Sequence, residues 1–163
     1  MTTALDVDWL LDAGLAPDAA DDTLAPLYSA AAADRLDLPF CADCESPIDL
    51  DQHVCDNCGS VRTLWRTVES TGTVHSATMM HRLEPGLVRT GAPYPILDVE
   101  LTSGHRLIMT SRDRTEAVFH IGDQVTIGFR SLGGVAIPAA CLVRLPSRPT
   151  KESTAQSISE EHP

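Results

Sequence analysis

The spacing of apolar and polar positions changes along this sequence, and each change predicts a different element. Leu24, Leu27, Tyr28, Ala31 and Arg35 recur three and four residues apart, which predicts a helix over 24–36. Asp22 or Thr23 is placed to cap its start, and Leu38-Pro39 is expected to stop it, because the residue before a proline disfavours the helical region. Asp8-Trp9-Leu10-Leu11-Asp12 predicts a short helical turn ending near Gly14. The Ala-rich helix has few large anchors, so it is expected to pack on its own core or on a partner.

After residue 66 the pattern shortens. Thr73–His81, Ile96–Leu101, His105–Thr110, Gln124–Arg130 and Ala140–Leu145 are short runs rich in β-branched or apolar residues. Glu84-Pro85-Gly86, Ser103-Gly104, Ile121-Gly122-Asp123 and Gly133-Gly134 divide them as turn signals. Ser103-Gly104 between two runs reads as a hairpin. Five short strands in about eighty residues predict a small closed or nearly closed barrel, since closure hides exposed edges. The fold class is therefore mainly β, in four segments: an N-terminal helical arm (1–38), a cysteine-rich segment (39–66), a five-stranded barrel (67–146) and a polar tail (147–163). The tail is too polar to offset its ordering entropy and is expected to be disordered.

Composition narrows the function. The chain has 163 residues and a formal net charge of -11. Thirteen Asp and Glu face a single Arg, Arg35, over residues 1–56, while 66–144 carries eight Arg against seven acids. That balance opposes a general nucleic-acid binder, which needs clustered Lys and Arg. No apolar run approaches a membrane span. No basic leader with a long apolar core opens the sequence, and the expected compartment is the cytoplasm.

Four cysteines carry the clearest chemistry. Cys41-Ala42-Asp43-Cys44 and Cys55-Asp56-Asn57-Cys58 form two C-x2-C knuckles ten residues apart. Each two-residue gap aims two sulfurs at one point, and two knuckles supply the tetrahedral shell zinc prefers. Gly59 follows the second knuckle and Glu45 the first, a departure expected to alter the first turn. Iron fits the same four-sulfur shell, so the metal stays open between the two. Paired disulfides and a thioredoxin-like redox pair fit less well, lacking an oxidising address and a βαβ setting. Four thiolates leave no open position, so the site is expected to be structural.

The remaining candidates are weaker. Cys141 reads as a buried strand thiol. His53 lies between the knuckles, where four cysteines already fill the shell. His75 and His81, six apart on one strand, would share a face, either as polar surface or as the lining of a ligand groove. His105, His120 and His162 complete the set. No catalytic residue is assigned, and the isolated chain is expected to have no turnover.

Taken in order, Leu38-Pro39-Phe40-Cys41, the two knuckles, Trp65–Ser76 with its Gly72-Thr73-Val74, Pro93–Leu101 and Ile121-Gly122-Asp123-Gln124-Val125 resemble a family. It is that of acyl-CoA-associated OB-fold proteins with a rubredoxin-like zinc ribbon, long filed as domain-of-unknown-function family thirty-five. The likeness spans roughly Leu24 to Leu145. It implies a zinc-ribbon/OB-fold accessory subunit in lipid metabolism. Its partner would be a thiolase-like protein of the lipid-transfer or sterol-carrier type, which carries the catalytic residues for thiolase, acyltransferase or retro-aldol chemistry on acyl-CoA thioesters. In such a hetero-oligomer the chain would shape the acyl-CoA site and stabilise its partner, with Arg82, Arg89, Arg112 or Arg114 available to CoA phosphates or partner carboxylates. The competing reading is a nucleic-acid-binding module, since zinc ribbons and OB-folds both occur there; it needs a basic groove and stacking aromatics.

Overall fold

The computed structural model describes residues 7–20 and 22–143. Five strands follow the cysteine segment: β3 (Thr71–Met80), β4 (Tyr94–Leu101), β5 (Arg106–Met109), β6 (Gln124–Leu132) and β7 (Val135–Leu142). They form one antiparallel sheet in the order β5-β4-β3-β6-β7. The sheet curls until its ends meet: Ser111 bridges Ala140 in parallel, with Ala140 N donating to Thr110 O at 2.9 Å and Arg112 N to Ala140 O at 2.8 Å. The result is a nearly closed five-stranded barrel. Alternation fills it. Leu97, Val99 and Leu101 of β4 and Leu107 and Met109 of β5 point inward, while Glu100, Arg106 and Ile108 point out.

The turn signals act where they stand, but β7 begins five residues before the expected Ala140. Gly133 (φ 56°) and Gly134 (φ 88°) make a two-residue hairpin turn, and Leu132 pairs directly with Val135. Pro138 hides this early start from sequence inspection. It sits opposite Phe129, in the set of β7 residues whose peptide groups face away from β6, so its missing N–H breaks no β6–β7 bond.

The helix is the main correction. Helix α1 spans Ala25–Ala31, not 24–36. Asp22 accepts from Leu24 N at 2.8 Å at its start. Asp34 takes a left-handed φ of 55° at its end, and the chain turns into strand β1, Leu36–Cys41. Pro39 therefore lies inside a strand, opposite Trp65 of β2 (Thr63–Val68). Tertiary burial overrides the local period: Leu36 and Leu38 are both fully buried in the barrel core. Nor is the helix weakly held. Leu27, Ala30 and Ala31 are buried, and Leu24 and Tyr28 pack against the core, so its small residues serve close approach.

The Asp8–Asp12 stretch is likewise not a helical turn. The Asp8 carboxylate accepts from Leu10 N (2.9 Å) and Leu11 N (2.6 Å), and the helical geometry comes later, as a 3-10 turn at Ala13–Leu15. Leu11 bridges Val88, and Trp9 Nε1 donates to Arg112 O at 3.0 Å, which straps the arm across the barrel. Among the described residues no helix is long and apolar enough to cross a membrane.

Candidate metal centre

Strands β1 and β2 form a two-stranded stem whose far end presents the first knuckle: β1 ends at Cys41, opposite Thr63. The two knuckles repeat the same backbone pattern. Cys41 N donates to Ser46 O and Cys55 N to Ser60 O, at 2.9 and 2.8 Å; Glu45 N returns to Cys41 O and Gly59 N to Cys55 O, at 3.0 and 2.8 Å. Both turns need a positive φ, 74° at Gly59 and 61° at Glu45. Glu45 thus does the work of a glycine at a cost of about 1 kcal/mol. Its carboxylate then pairs with Arg66 at 3.0 Å, and the Arg66 guanidinium lies 5.3 Å from the Phe40 ring centre.

These turns bring the Cys41, Cys44, Cys55 and Cys58 sulfurs within 4.8 Å of one another. Sγ of Cys41 lies 3.5 Å from that of Cys58, and Cys44 3.5 Å from Cys55. All four are free thiols, far beyond the ~2.05 Å of a disulfide and near the roughly 3.8 Å between sulfurs in a tetrahedron with 2.3 Å metal bonds. The donor set fits a metal ion held by four cysteines. Hydrogen bonds from Ser46 and Asn57 bring the Cys44 thiol down to about 5. At Cys58 the Ser60 backbone N–H favours the thiolate, but the neighbouring sulfurs of Cys41 and Cys44 outweigh it and push the thiol up to about 12. Four thiolates this close repel; a divalent cation removes that conflict.

Beneath the sulfurs, Ile48 is buried with Cys41 and Cys55. Leu50 of the loop between the knuckles packs against the barrel core, and a buried histidine makes a second, polar tie. His105 is 2% exposed, donates from Nε2 to the Pro39 carbonyl at 2.8 Å, and accepts at Nδ1 from the Ser103 hydroxyl at 2.9 Å. Its edge meets Phe40, with centroids 4.8 Å apart. Burial lowers its pKa below the usual 6.5, against the opposing pull of the Pro39 carbonyl and Asp49, which keeps it the neutral donor. Sequence reading did not single it out.

The other candidates disperse. His53 and His81 are exposed. A register shift between Val74 and Ser76 breaks the alternation at His75, and β3 ends before His81, so the two do not line one strand face; His75 instead lies 3.8 Å from Glu100. His120 lies 3.6 Å from Asp123, and His162 falls outside the described residues. Cys141 is half-buried on β7, with the Arg112 side chain and Cys141 Sγ both against Gly128. Arg82 pairs with Glu84, Arg89 with Asp12 and Arg112 with Asp113, and Arg112, Arg114 and Arg130 line a cavity of about 410 Å³ with Trp9.

Two features lay outside sequence reach. Arg130 meets Asp8 at 3.0 Å with side chains 10% and 1% exposed, across 122 residues of chain. A cleft of about 700 Å³ opens between α1, the loop at Asp49–Asp51 and strands β5 and β7, with Leu27, Leu107, Met109 and Ile137 on its walls. Of the barrel aromatics, Tyr94 and Phe119 are buried and Phe129 is half-buried.

Residues 65–130 match the family of the ChsH2 C-terminal OB-fold domain. Among solved structures the chain is similar to the Ltp2–ChsH2(DUF35) aldolase, with a TM-score of 0.61 and 26% identity over 72% of this chain and 91% of that one. No curated protein matches the sequence. The barrel, its nearly closed strand order and the four-cysteine cluster on its stem agree with both matches, which support a DUF35-type OB-fold for this chain.

Proposed function

We propose that the chain is a zinc-bearing, non-catalytic subunit that assembles with a thiolase-like catalytic protein acting on acyl-CoA thioesters. The observation that carries this reading is the similarity, over most of both chains, to the ChsH2(DUF35) component solved with Ltp2 as an aldolase. In this reading zinc on Cys41, Cys44, Cys55 and Cys58 is structural, because four thiolates complete its shell. The chain's own residues position and stabilise the partner. The apolar cleft walled by Leu27, Leu107 and Ile137 and the Arg112–Arg114 wall offer surfaces for an acyl group and its phosphates. The reaction of the complex is a thiolysis, an acyl transfer or an aldol cleavage, and its nucleophile and base come from the partner.

Size-exclusion chromatography of the chain with a thiolase-like catalytic protein from the same genome tests this reading. Co-elution is expected, with partner turnover that rises on addition of the chain. Independent elution at micromolar concentration with unchanged partner activity rejects it. Robust turnover by the pure chain, abolished by Cys141→Ala, overturns the non-catalytic role.

A further inference from the structure

The outer half of β3 leaves an open strand edge whose direction the hydrogen bonds fix. Leu101 N donates to His105 O, and Pro95 O accepts from Thr110 Oγ1 at 2.6 Å. Odd-numbered residues of β4 therefore turn their peptide groups toward β5, and even-numbered ones toward β3. Ser76, Thr78 and Met80 lie opposite Asp98, Ile96 and Tyr94, so they complete the ladder with β4. Ala77 and Met79, opposite Leu97 and Pro95, point their N–H and C=O groups the other way. On that side β6 pairs with β3 only as far as Thr73, and Val74 makes the last contacts, with Asp123 and Gly122. Ala77 and Met79 have no backbone partner on this edge among the described residues.

Natural sheets blunt such an edge with Lys, Pro, inward charges, a β-bulge or a covering loop. A register shift between Val74 and Ser76 precedes this segment, but Ser76-Ala77-Thr78-Met79-Met80 itself carries no charge and no Pro. Every residue from His75 to Met80 is exposed, including Met79 at 47% and Met80 at 38%, and Val118 at 64% borders the same apolar hollow as Ala77 and Met79.

We infer that this edge pairs with the same edge of a second copy of the chain, as an antiparallel strand junction about a two-fold axis at Thr78. The register follows from parity. Ala77 of one copy faces Met79 of the other in two hydrogen-bonded pairs, which satisfies all four N–H and C=O groups that face outward. Thr78 meets Thr78, a favourable cross-strand pair. An isologous contact sets each side chain against its symmetry mate's neighbourhood, so a charged segment would repel itself; this one is uncharged. The paired segment is short and below the ~1,200 Å² of a standard interface, so association is weak and reversible. The net charge of -11 on each copy opposes it at low ionic strength, and salt screens that repulsion. The inference stands apart from the catalytic-partner reading and needs only this chain.

Sedimentation equilibrium of the full metal-loaded chain tests it, across concentrations up to several hundred micromolar, in low and high sodium chloride. The expected result is a reversible shift from 17.5 kDa toward twice that mass, stronger at high salt. Met79→Lys places like charges across the axis and is expected to abolish the shift. Ala77→Pro removes an outward N–H that β4 does not use and is expected to do the same. Ile108→Lys, at an exposed position on β5, is expected to leave it intact. A monomer at every concentration and both salts overturns the inference, as does a dimer that survives Met79→Lys in protein with native circular dichroism and metal content.

Discussion

The barrel and the cysteine ribbon share a strand but are held by different means. Among the described residues, thirteen are buried in one cluster centred on the barrel, from Leu27 of α1 and Leu36 of β1 to Ala140. The ribbon's own cluster is Cys41, Ile48 and Cys55, two of them metal-ligand candidates. At about 25 cal/mol per Å² of buried apolar surface, one isoleucine cannot order two knuckles and the loop between them. The barrel is therefore a hydrophobic object and the ribbon a coordination object. Strand β1 joins them: Leu36 and Leu38 belong to the barrel core and Cys41 to the ribbon.

The most severe test of this contrast removes the metal. Cys55→Ser is expected to release one metal equivalent and melt residues 42–62, at a cost of order 10 kcal/mol to that segment, since metal binding is its folding energy. Hydrogen exchange should then show Leu97–Leu101 still protected while the knuckle amides exchange freely. A ribbon that keeps its protection without metal breaks the comparison.

The converse test leaves the metal alone. Leu97 is fully buried among Val74, Val99 and Leu107, so Leu97→Ala is expected to lower barrel stability by about 2–5 kcal/mol. Metal stoichiometry should stay unchanged at temperatures where the barrel remains folded. Gly72→Ala is a smaller version of the same test. An added Cβ would lie 2.7 Å from the Glu100 carbonyl oxygen and 2.8 Å from Val99 Cγ1, and such overpacking costs about 1–3 kcal/mol. Denaturant midpoints measure both losses.

The same contrast explains what sequence reading reached. The four-cysteine cluster was legible because metal geometry fixes a short local spacing, and most barrel strands were legible because glycine turns punctuate them. The end of α1 was not, because Leu36 follows Tyr28 and Ala32 at four-residue, helical spacing while its two-residue spacing to Leu38 is that of a strand, and only the waiting barrel core decides. The full span of β7 was masked by Pro138, whose harmlessness depends on which way its peptide faces. The Asp8–Arg130 pair had no local signal, since its partners are 122 residues apart. His105 was visible as a residue but not as a tie, because its acceptor, Pro39 O, lies on another strand.

That tie gives the smallest and most specific prediction, a pH dependence that belongs to the junction. His105→Gln is expected to cost about 1–3 kcal/mol at pH 7.5, through lost packing on Phe40 and an altered bond to the buried Pro39 carbonyl. Burial lowers the folded-state pKa of His105 below its unfolded value of 6.5. The unfolded chain therefore takes up the proton first as pH falls. The stability that neutral His105 contributes is complete above about 6.5 and declines from there through the lower, folded-state pKa. The difference between the parent chain and His105→Gln should accordingly shrink between pH 7.5 and 5.5. Taking this difference cancels the acid sensitivity of the cysteine cluster, which both proteins share. Urea unfolding of the two proteins at several pH values measures it. A gap that stays constant or widens toward acid would show that His105 is not held neutral at the junction.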